Sequence, residues 1–339
     1  QREKLLKAGC PGEMKIVSKH LQAISQYDID EYEKAKLRAL VLGYFYVYSS
    51  DTWHAIDVER NFEIELKVKP YAFVGKIDTL VTDDGCGLAM LEHKTTVTSL
   101  EDLNSPYFRK LSYDLQINAY HMAQFLMEEE LEQTIYDVIH KPRIKPKKLT
   151  AKAAKEINDD GDYCGVTLKD PELVEVGQVE TPALFETRLW ADILENPRKY
   201  YLRYGGIKRT PAQCVETYEM LNGVVEDIVR CLKTGSWYQN SSACGKYGVP
   251  CEYMSLCCGT GDPSSDHWKK RKGSDISGEH NLSVSRIHTF FECQRKYYWR
   301  YVEGIQRNWE TPLALSFGSA FHECLESFWK STMKENEDE

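Results

Sequence analysis

The chain has 339 residues, with 43 Lys and Arg against 52 Asp and Glu, for a formal charge of −9. Apolar residues make up 42% and charged residues 28%, a globular balance that excludes a disordered or fibrous protein. The acidic excess argues against passive coating of nucleic acid while leaving room for a local basic groove. No apolar run approaches the ~18 residues of a membrane helix, so a soluble, intracellular protein of one large or two smaller domains is expected.

In chain order, residues 12–50 read as helical. Met14, Ile16, Val17, Leu21 and Ile24 recur at helical spacing, and Tyr32, Ala35, Leu40 and Val41 continue it. The period changes over 59–69, where Phe62, Ile64, Leu66 and Val68 alternate with Glu63, Glu65 and Lys67, the pattern of a half-buried strand. Residues 71–82 and 87–96 predict two more strands joined by an Asp-Gly turn at Asp84-Gly85. Leu111, Leu115, Asn118, Met122 and Leu126 share a stripe that predicts a helix over 111–131, and 134–140 predicts a further strand. A stretch at 141–155 carries Lys141, Arg143, Lys145, Lys147, Lys148, Lys152 and Lys155 with no acid. Helices are predicted over 184–205 and 211–234, the second with Thr210 as N-cap, Pro211 in its first turn and Gly235 as its stop. Residues 259–280, rich in Gly, Ser, Asp and Lys, read as a mobile linker, and 281–330 as helical and aromatic. The order helix, three strands, helix, strand predicts an α/β fold with a central mixed sheet flanked by helices. The expected division is a core over 1–258, a linker over 259–280, and a segment over 281–339 that packs back on the core.

Two acids and a lysine stand out. Glu92 and Lys94 are two apart on a predicted strand and share a face, while His93 turns away. Asp78 on the neighbouring strand can come level with them. Paired buried carboxylates demand a cation, and a hard divalent ion such as Mg²⁺ or Mn²⁺ takes oxygen ligands. Lys94 then stands where it can orient or deprotonate a metal-bound water. Taken alone, Glu-x-Lys is a common tripeptide and reads first as an exposed ion pair on a strand; its context is what points to a metal site. Gln116 and Tyr120, four apart, share a face of the next helix, and His322 lies near the start of an apolar helix.

The eleven cysteines are spread unlike a secreted disulfide framework. Cys214 continues an apolar helical stripe with Tyr218, Leu221, Val225 and Ile228 and reads as core. Cys244, Cys251 and Cys257, with Cys293 far downstream, can supply four thiolates to a [4Fe–4S] cluster or to zinc. No Cys-x-x-Cys knuckle is present among them. Cys258 adjoins Cys257, which leaves the ligand between those two open.

Gly75-Lys76-Ile77-Asp78, Glu92-His93-Lys94 and Gln116 with Tyr120 together resemble the PD-(D/E)XK nuclease superfamily. Phe317-Gly318-Ser319-Ala320-Phe321-His322 resembles its RecB-like exonuclease branch, and the stretch from Tyr136 to Arg143 is similar to phage and prophage members. The resemblance implies a restriction-endonuclease-like core. It implies Asp78, Glu92, the His93 carbonyl and His322 as ligands of Mg²⁺ or Mn²⁺, Lys94 as the catalytic lysine, and Gln116 and Tyr120 as groups that touch DNA and orient the site, with Glu59 in support. It favours a [4Fe–4S] cluster on Cys244, Cys251, Cys257 and Cys293, stapling the ends, over Zn²⁺. In the family the segment with the lone cysteine and the histidine comes first. Here it comes last, so a circular permutation is expected, natural or engineered. The alternative is a chain cut across tandem or swapped copies, with His322 serving another molecule.

The function this implies is a divalent-metal-dependent DNA exonuclease acting on single strands or DNA ends in the cytoplasm of a bacterial or phage-infected cell. The alternative is a non-catalytic DNA-binding subunit of a recombination or repair complex, with a protein partner. Lys141, Arg143, Arg286, Arg295, Lys296 and Arg300 are candidates for phosphate contacts, and Tyr107, Phe108, Tyr113 and Trp299 for base stacking.

Overall fold

The computed structural model describes residues 19–83, 86–129, 131–246, 248–271, 280–308 and 313–336. The 12–18 part of the expected helices, with Met14, Ile16 and Val17, the tip of the expected turn at 84–85 and the 272–279 part of the expected linker lie outside the described residues.

A mixed sheet organises the fold. Its strands are β1 (His54–Glu65), β2 (Ala72–Asp83), β3 (Cys86–Thr96), β4 (Leu131–His140) and β5 (Tyr201–Ile207), in the spatial order β1-β2-β3-β4-β5. All neighbours pair antiparallel except β3 and β4, which run parallel. A parallel pair needs a crossover, and here it contains α2 (Pro106–Leu111) and α3 (Leu115–Leu126). Asn281–Leu282 adds a short parallel strand to the Ala72–Phe73 end of β2.

Alternation sends side chains to two cores. Ala89 and Leu91 of β3, with Ile135 and Ile139 of β4, pack against α1 (Glu31–Val47), α5 (Pro182–Glu195) and α8 (Leu313–Asn336) through Leu40, Tyr44, Ile193, Phe317 and Phe321. Met90, Tyr136 and Val138 point the other way, onto α3, α6 (Pro211–Thr234) and α7 (Val284–Glu292) through Ile117, Met122, Val225, Ile228 and Phe290. Cys214 and Cys231 are buried in that second core. Helix α6 starts at the expected Thr210 cap and stops at the expected Gly235, left-handed at φ 67°; the structure adds a capping box between Thr210 and Gln213.

Several boundaries differ from expectation. The helix expected over 184–205 ends at Glu195. Pro197 opens a short 3-10 turn, and Tyr201–Ile207 becomes an edge strand on β4, where its aromatic and β-branched residues fit a pleated surface. The helix expected over 111–131 is split, because the Asp114 side chain accepts from the Gln116 N–H and restarts the chain as α3. The basic stretch is extended until Thr150 caps α4 (Ala151–Asp160). The strand expected over 59–69 begins earlier, at His54. Within 281–330, Ile305–Arg307 forms a strand on Trp268–Lys270 inside the expected linker.

Candidate active site

Strand β3 delivers Glu92, His93 and Lys94. The register of Thr79 with Leu91 brings Asp78 level with this triplet, and the His93 N–H donates to Asp78 Oδ2 at 3.0 Å. Lys94 Nζ donates to Glu92 Oε1 at 2.6 Å and to Gln116 Oε1 at 2.9 Å. Gln116 closes the ring by donating from Nε2 to the same Glu92 oxygen at 2.8 Å, and also donates to the Tyr120 hydroxyl at 3.2 Å. The structure therefore brings together Asp78, Glu92, Lys94, Gln116 and Tyr120.

Glu92 is only 2% exposed, and its Oε2 has no hydrogen-bond partner among the described residues. Burial and the Asp78 charge push its pKa up to about 7, against the pull of Lys94. Burial opposes the Lys94 charge too, but the Glu92 carboxylate outweighs it and holds the ammonium above its ordinary range. A buried carboxylate with one orphaned oxygen, next to a second acid, fits an additional cation.

His322 reaches the same place from α8. Its Nδ1 stands 3.6 Å from Asp78 Oδ2, and its ring meets the His93 ring edge-on at 6.1 Å between centroids. Burial, followed by the neighbouring His93, lowers its pKa to about 4, so the imidazole is neutral at pH 7, the form in which histidine binds metals. Between α8 and the β1–β2 ribbon lies a groove of about 560 Å³ lined by Glu59, Lys76, Asp78, Ser319 and His322.

Glu59 sits inside β1 at φ 58°, a left-handed conformation that a non-glycine residue seldom adopts. The faces of β1 change over around it. Val58 packs in the α8 core, while Phe62, four residues on, packs in the α3 core. Strand β2 shows the same break between Ile77 and Val81. Asp78 lies at this discontinuity, where both β3 and α8 can reach it. The Glu59 carboxylate pairs with the Lys76 ammonium across the two strands. Strained backbone of this kind concentrates at functional sites.

Among the described residues no group of three or more His, Cys, Asp or Glu side chains stands in position to hold a metal ion. The side-chain donors that converge at β2–β3 are two carboxylates, with His322 beside one of them. Cys244, Cys251, Cys257, Cys258 and Cys293 line one cavity of about 180 Å³ together with Asn240, Tyr253 and Lys296. None of these five forms a disulfide. The Cys251 N–H donates to the Cys244 carbonyl at 2.8 Å, and the Asn240 N–H points at Cys293 Sγ at 3.4 Å.

The candidate DNA contacts are dispersed. The Lys141 ammonium is 2.8 Å from Glu33 and lies over the Phe317 ring at 3.8 Å, tying α1, β4 and α8 together. Arg143 is exposed. The Arg295 guanidinium lies 5.6 Å from the Tyr298 ring, beside the cysteine cavity.

One group of residues escaped the sequence reading. Behind the triplet, His93 Nδ1 is 3.2 Å from the fully buried Asp137 of β4, which also accepts from the Tyr44 hydroxyl and faces Arg203 Nε at 3.7 Å. The available signal was an acid in the middle of the apolar strand Thr134–His140, since an unpaired buried carboxylate is prohibitive.

A family model described as the PD-(D/E)XK nuclease superfamily matches residues 9–257 and 281–339. The chain belongs to the PD-(D/E)XK nuclease superfamily. That superfamily comprises nucleases that typically use Mg²⁺ or Mn²⁺, and membership implies DNA as a substrate. The mixed sheet flanked by helices agrees with its restriction-endonuclease-like fold. No curated protein and no solved structure gives a match. Among the described residues, no helix is long and apolar enough to cross a membrane.

Proposed function

We propose that this superfamily member is an exonuclease that hydrolyses phosphodiester bonds of single-stranded DNA or DNA ends, in the manner of the RecB-like branch. The observation that carries the reading is Glu92: buried, level with Asp78, ion-paired to Lys94 and left with one oxygen unpartnered. Asp78, Glu92, the His93 carbonyl and His322 would hold Mg²⁺ or Mn²⁺. Bound there, the ion supplies Lewis acidity toward water and neutralises charge on the scissile phosphate. Lys94 orients the attacking water and steadies negative charge on the phosphate. Gln116 holds the Lys94 ammonium at 2.9 Å, and Tyr120, behind Gln116, keeps that amide facing Glu92. Lys141, Arg143 and Arg295 are the proposed phosphate contacts outside this centre.

Cys244, Cys251, Cys257 and Cys293 are proposed as ligands of a [4Fe–4S] cluster, with zinc as the alternative. Support comes from their lining of one cavity, with Cys293 arriving from the far end of the chain. The packing of Leu313–Asn336 onto β1, β2 and α1, and of Asn281–Leu282 onto β2, within the same chain supports a permuted arrangement in which His322 acts in cis. The proposed setting is bacterial or phage recombination and repair, alongside a partner protein.

The test is a product ladder from end-labelled single- and double-stranded DNA incubated with the anaerobically purified chain and Mg²⁺, Mn²⁺ or EDTA. Stepwise products from one end that vanish in EDTA are expected. They should fall by roughly 100-fold or more in Asp78→Ala and Lys94→Ala, the scale of losing one transition-state contact. Cleavage that persists in EDTA or in both variants would refute the reading.

A further inference from the structure

The crossover from β3 to α3 leaves the catalytic strand two residues after Lys94 and returns at Gln116. Four aromatic residues were candidates for stacking on bases, and the fold separates them. Phe108 is wholly buried, Tyr107 is half-buried against it, and Trp299 belongs to a small core with Tyr253 and Ile305. Tyr113 is 84% exposed, the most exposed large aromatic side chain among the described residues.

An exposed ring on a loose loop would mean little, but Tyr113 stands on a rigid turn. The Tyr136 hydroxyl donates to the Leu111 carbonyl at 3.3 Å, and Arg209 donates to the Ser112 carbonyl at 2.7 Å. Arg209 is itself held by Asn118 of α3 at 2.6 Å. The Tyr113 N–H closes on the Lys110 carbonyl at 3.0 Å, and the Asp114 side chain caps α3 through the Gln116 N–H at 2.9 Å. Backbone is therefore pinned on both sides of the ring, three residues from the amide that bonds Lys94. Such a ring gives up contact with the core on a backbone already fixed in place, which lowers the ordering cost of a binding surface. Arg109 and Lys110 precede it, both exposed and without an ion-pair partner among the described residues. Exposed Val97 and Leu103 lie on the same crossover.

Resting on the nuclease reading of the Asp78–Glu92–Lys94 centre, we infer that this crossover is a strand-binding subsite, in which Tyr113 stacks on an unpaired base while Arg109 and Lys110 take the adjoining phosphates. A base inside a duplex is covered on both faces by its neighbours, so a ring can stack on it only where the strand is single or ends. The subsite thus selects single strands and termini by stacking, without reading sequence.

The experiment measures binding of fluorescently labelled single-stranded DNA in EDTA, using an ordinary strand and one with abasic positions. It compares the full chain with Tyr113→Ala, Tyr113→Phe and the double variant Arg109→Gln/Lys110→Gln. Tyr113→Ala should weaken the ordinary strand about tenfold, within the usual range for one stacked base, and leave the abasic strand nearly unchanged. Tyr113→Phe should bind like wild type. The double variant should flatten the slope of log affinity against log salt by about 1.4, for two single-strand phosphate contacts. Equal loss on both strands, or no loss, overturns the stacking role. A wild-type chain that cleaves DNA while Tyr113→Ala binds both strands as it does overturns this inference alone. A wild-type chain that binds neither strand and cleaves nothing overturns the nuclease reading with it.

Discussion

Glu92 is buried beside the partly buried Asp78, and two acids so close with little water are costly unless cations compensate. Lys94 supplies one, and its bond to Glu92 Oε1 leaves Oε2 for another. Gln116 matters because it donates to the carboxylate and accepts from the ammonium, so a single amide sets both. Gly75 shows how closely the surroundings fit. A Cβ added there would collide with the Phe62 ring and come within 3.0 Å of Tyr120 Cε1. Phe62 is a core residue, and Tyr120 carries the hydroxyl that steadies Gln116. Gly75→Ala is therefore expected to destabilise the fold by about 1–3 kcal/mol, as overpacking does, and to lower kcat through displaced Tyr120. Urea denaturation beside steady-state cleavage measures both effects.

At the scale of the element, β3 turns its buried ion pair to one face and its histidine to the other. Glu92 and Lys94 face α3, and His93 faces Asp137, Tyr44 and His322. Helix α3 is anchored in turn by His121, which is buried and bonded to Thr134 Oγ1 of β4 at 2.8 Å. Burial, with a smaller push from Arg209, lowers the His121 pKa to about 4. The unfolded chain takes up that proton near pH 6.5 and the folded chain only near 4. Stability from this group is thus complete above 6.5 and lost as pH falls toward 4, by roughly 3 kcal/mol at the limit. The difference in unfolding free energy between wild type and His121→Gln should narrow across that window, read from denaturation curves at pH 7, 5.5 and 4. The sequence revealed β2, β3, β4 and α6 well, because alternation, turn chemistry and caps are local. It did not reveal that Tyr201–Ile207 is a strand, since only the open edge of β4 makes it one. Nor did it reveal the discontinuity at Glu59, because nothing in a single glutamate announces a left-handed backbone. The acids, lysine and glutamine of the centre were legible as motifs. The Asp137–His93 contact behind them depends on two strands meeting in register, which no local pattern encodes.

For the whole molecule, two cores clasp one sheet, and the last described helix completes the first of them. Phe317, Phe321, Leu325 and Trp329 of α8 lie in the core that holds α1 and α5, so His322 is carried by a deeply anchored element. The cysteine cavity joins Cys293 to the 244–258 segment and links the same two parts of the chain at a second place. Within it Cys258 is exposed while Cys257 is partly covered and neighbours Trp299. On the proposed [4Fe–4S] assignment, Cys257→Ser is expected to lose iron and acid-labile sulfide together with visible absorption, whereas Cys258→Ser keeps them. The reverse pattern would exchange the two roles, and zinc in place of iron would change the centre.

The most direct test of the proposed shared cation is calorimetric titration of the chain with Mn²⁺, free of DNA, beside Asp78→Ala and Glu92→Ala variants whose folding is verified by circular dichroism. One site per chain is predicted for wild type. Each variant should weaken it by at least the roughly 10–100-fold that even supporting residues command. Undiminished Mn²⁺ binding in both folded variants would contradict the account.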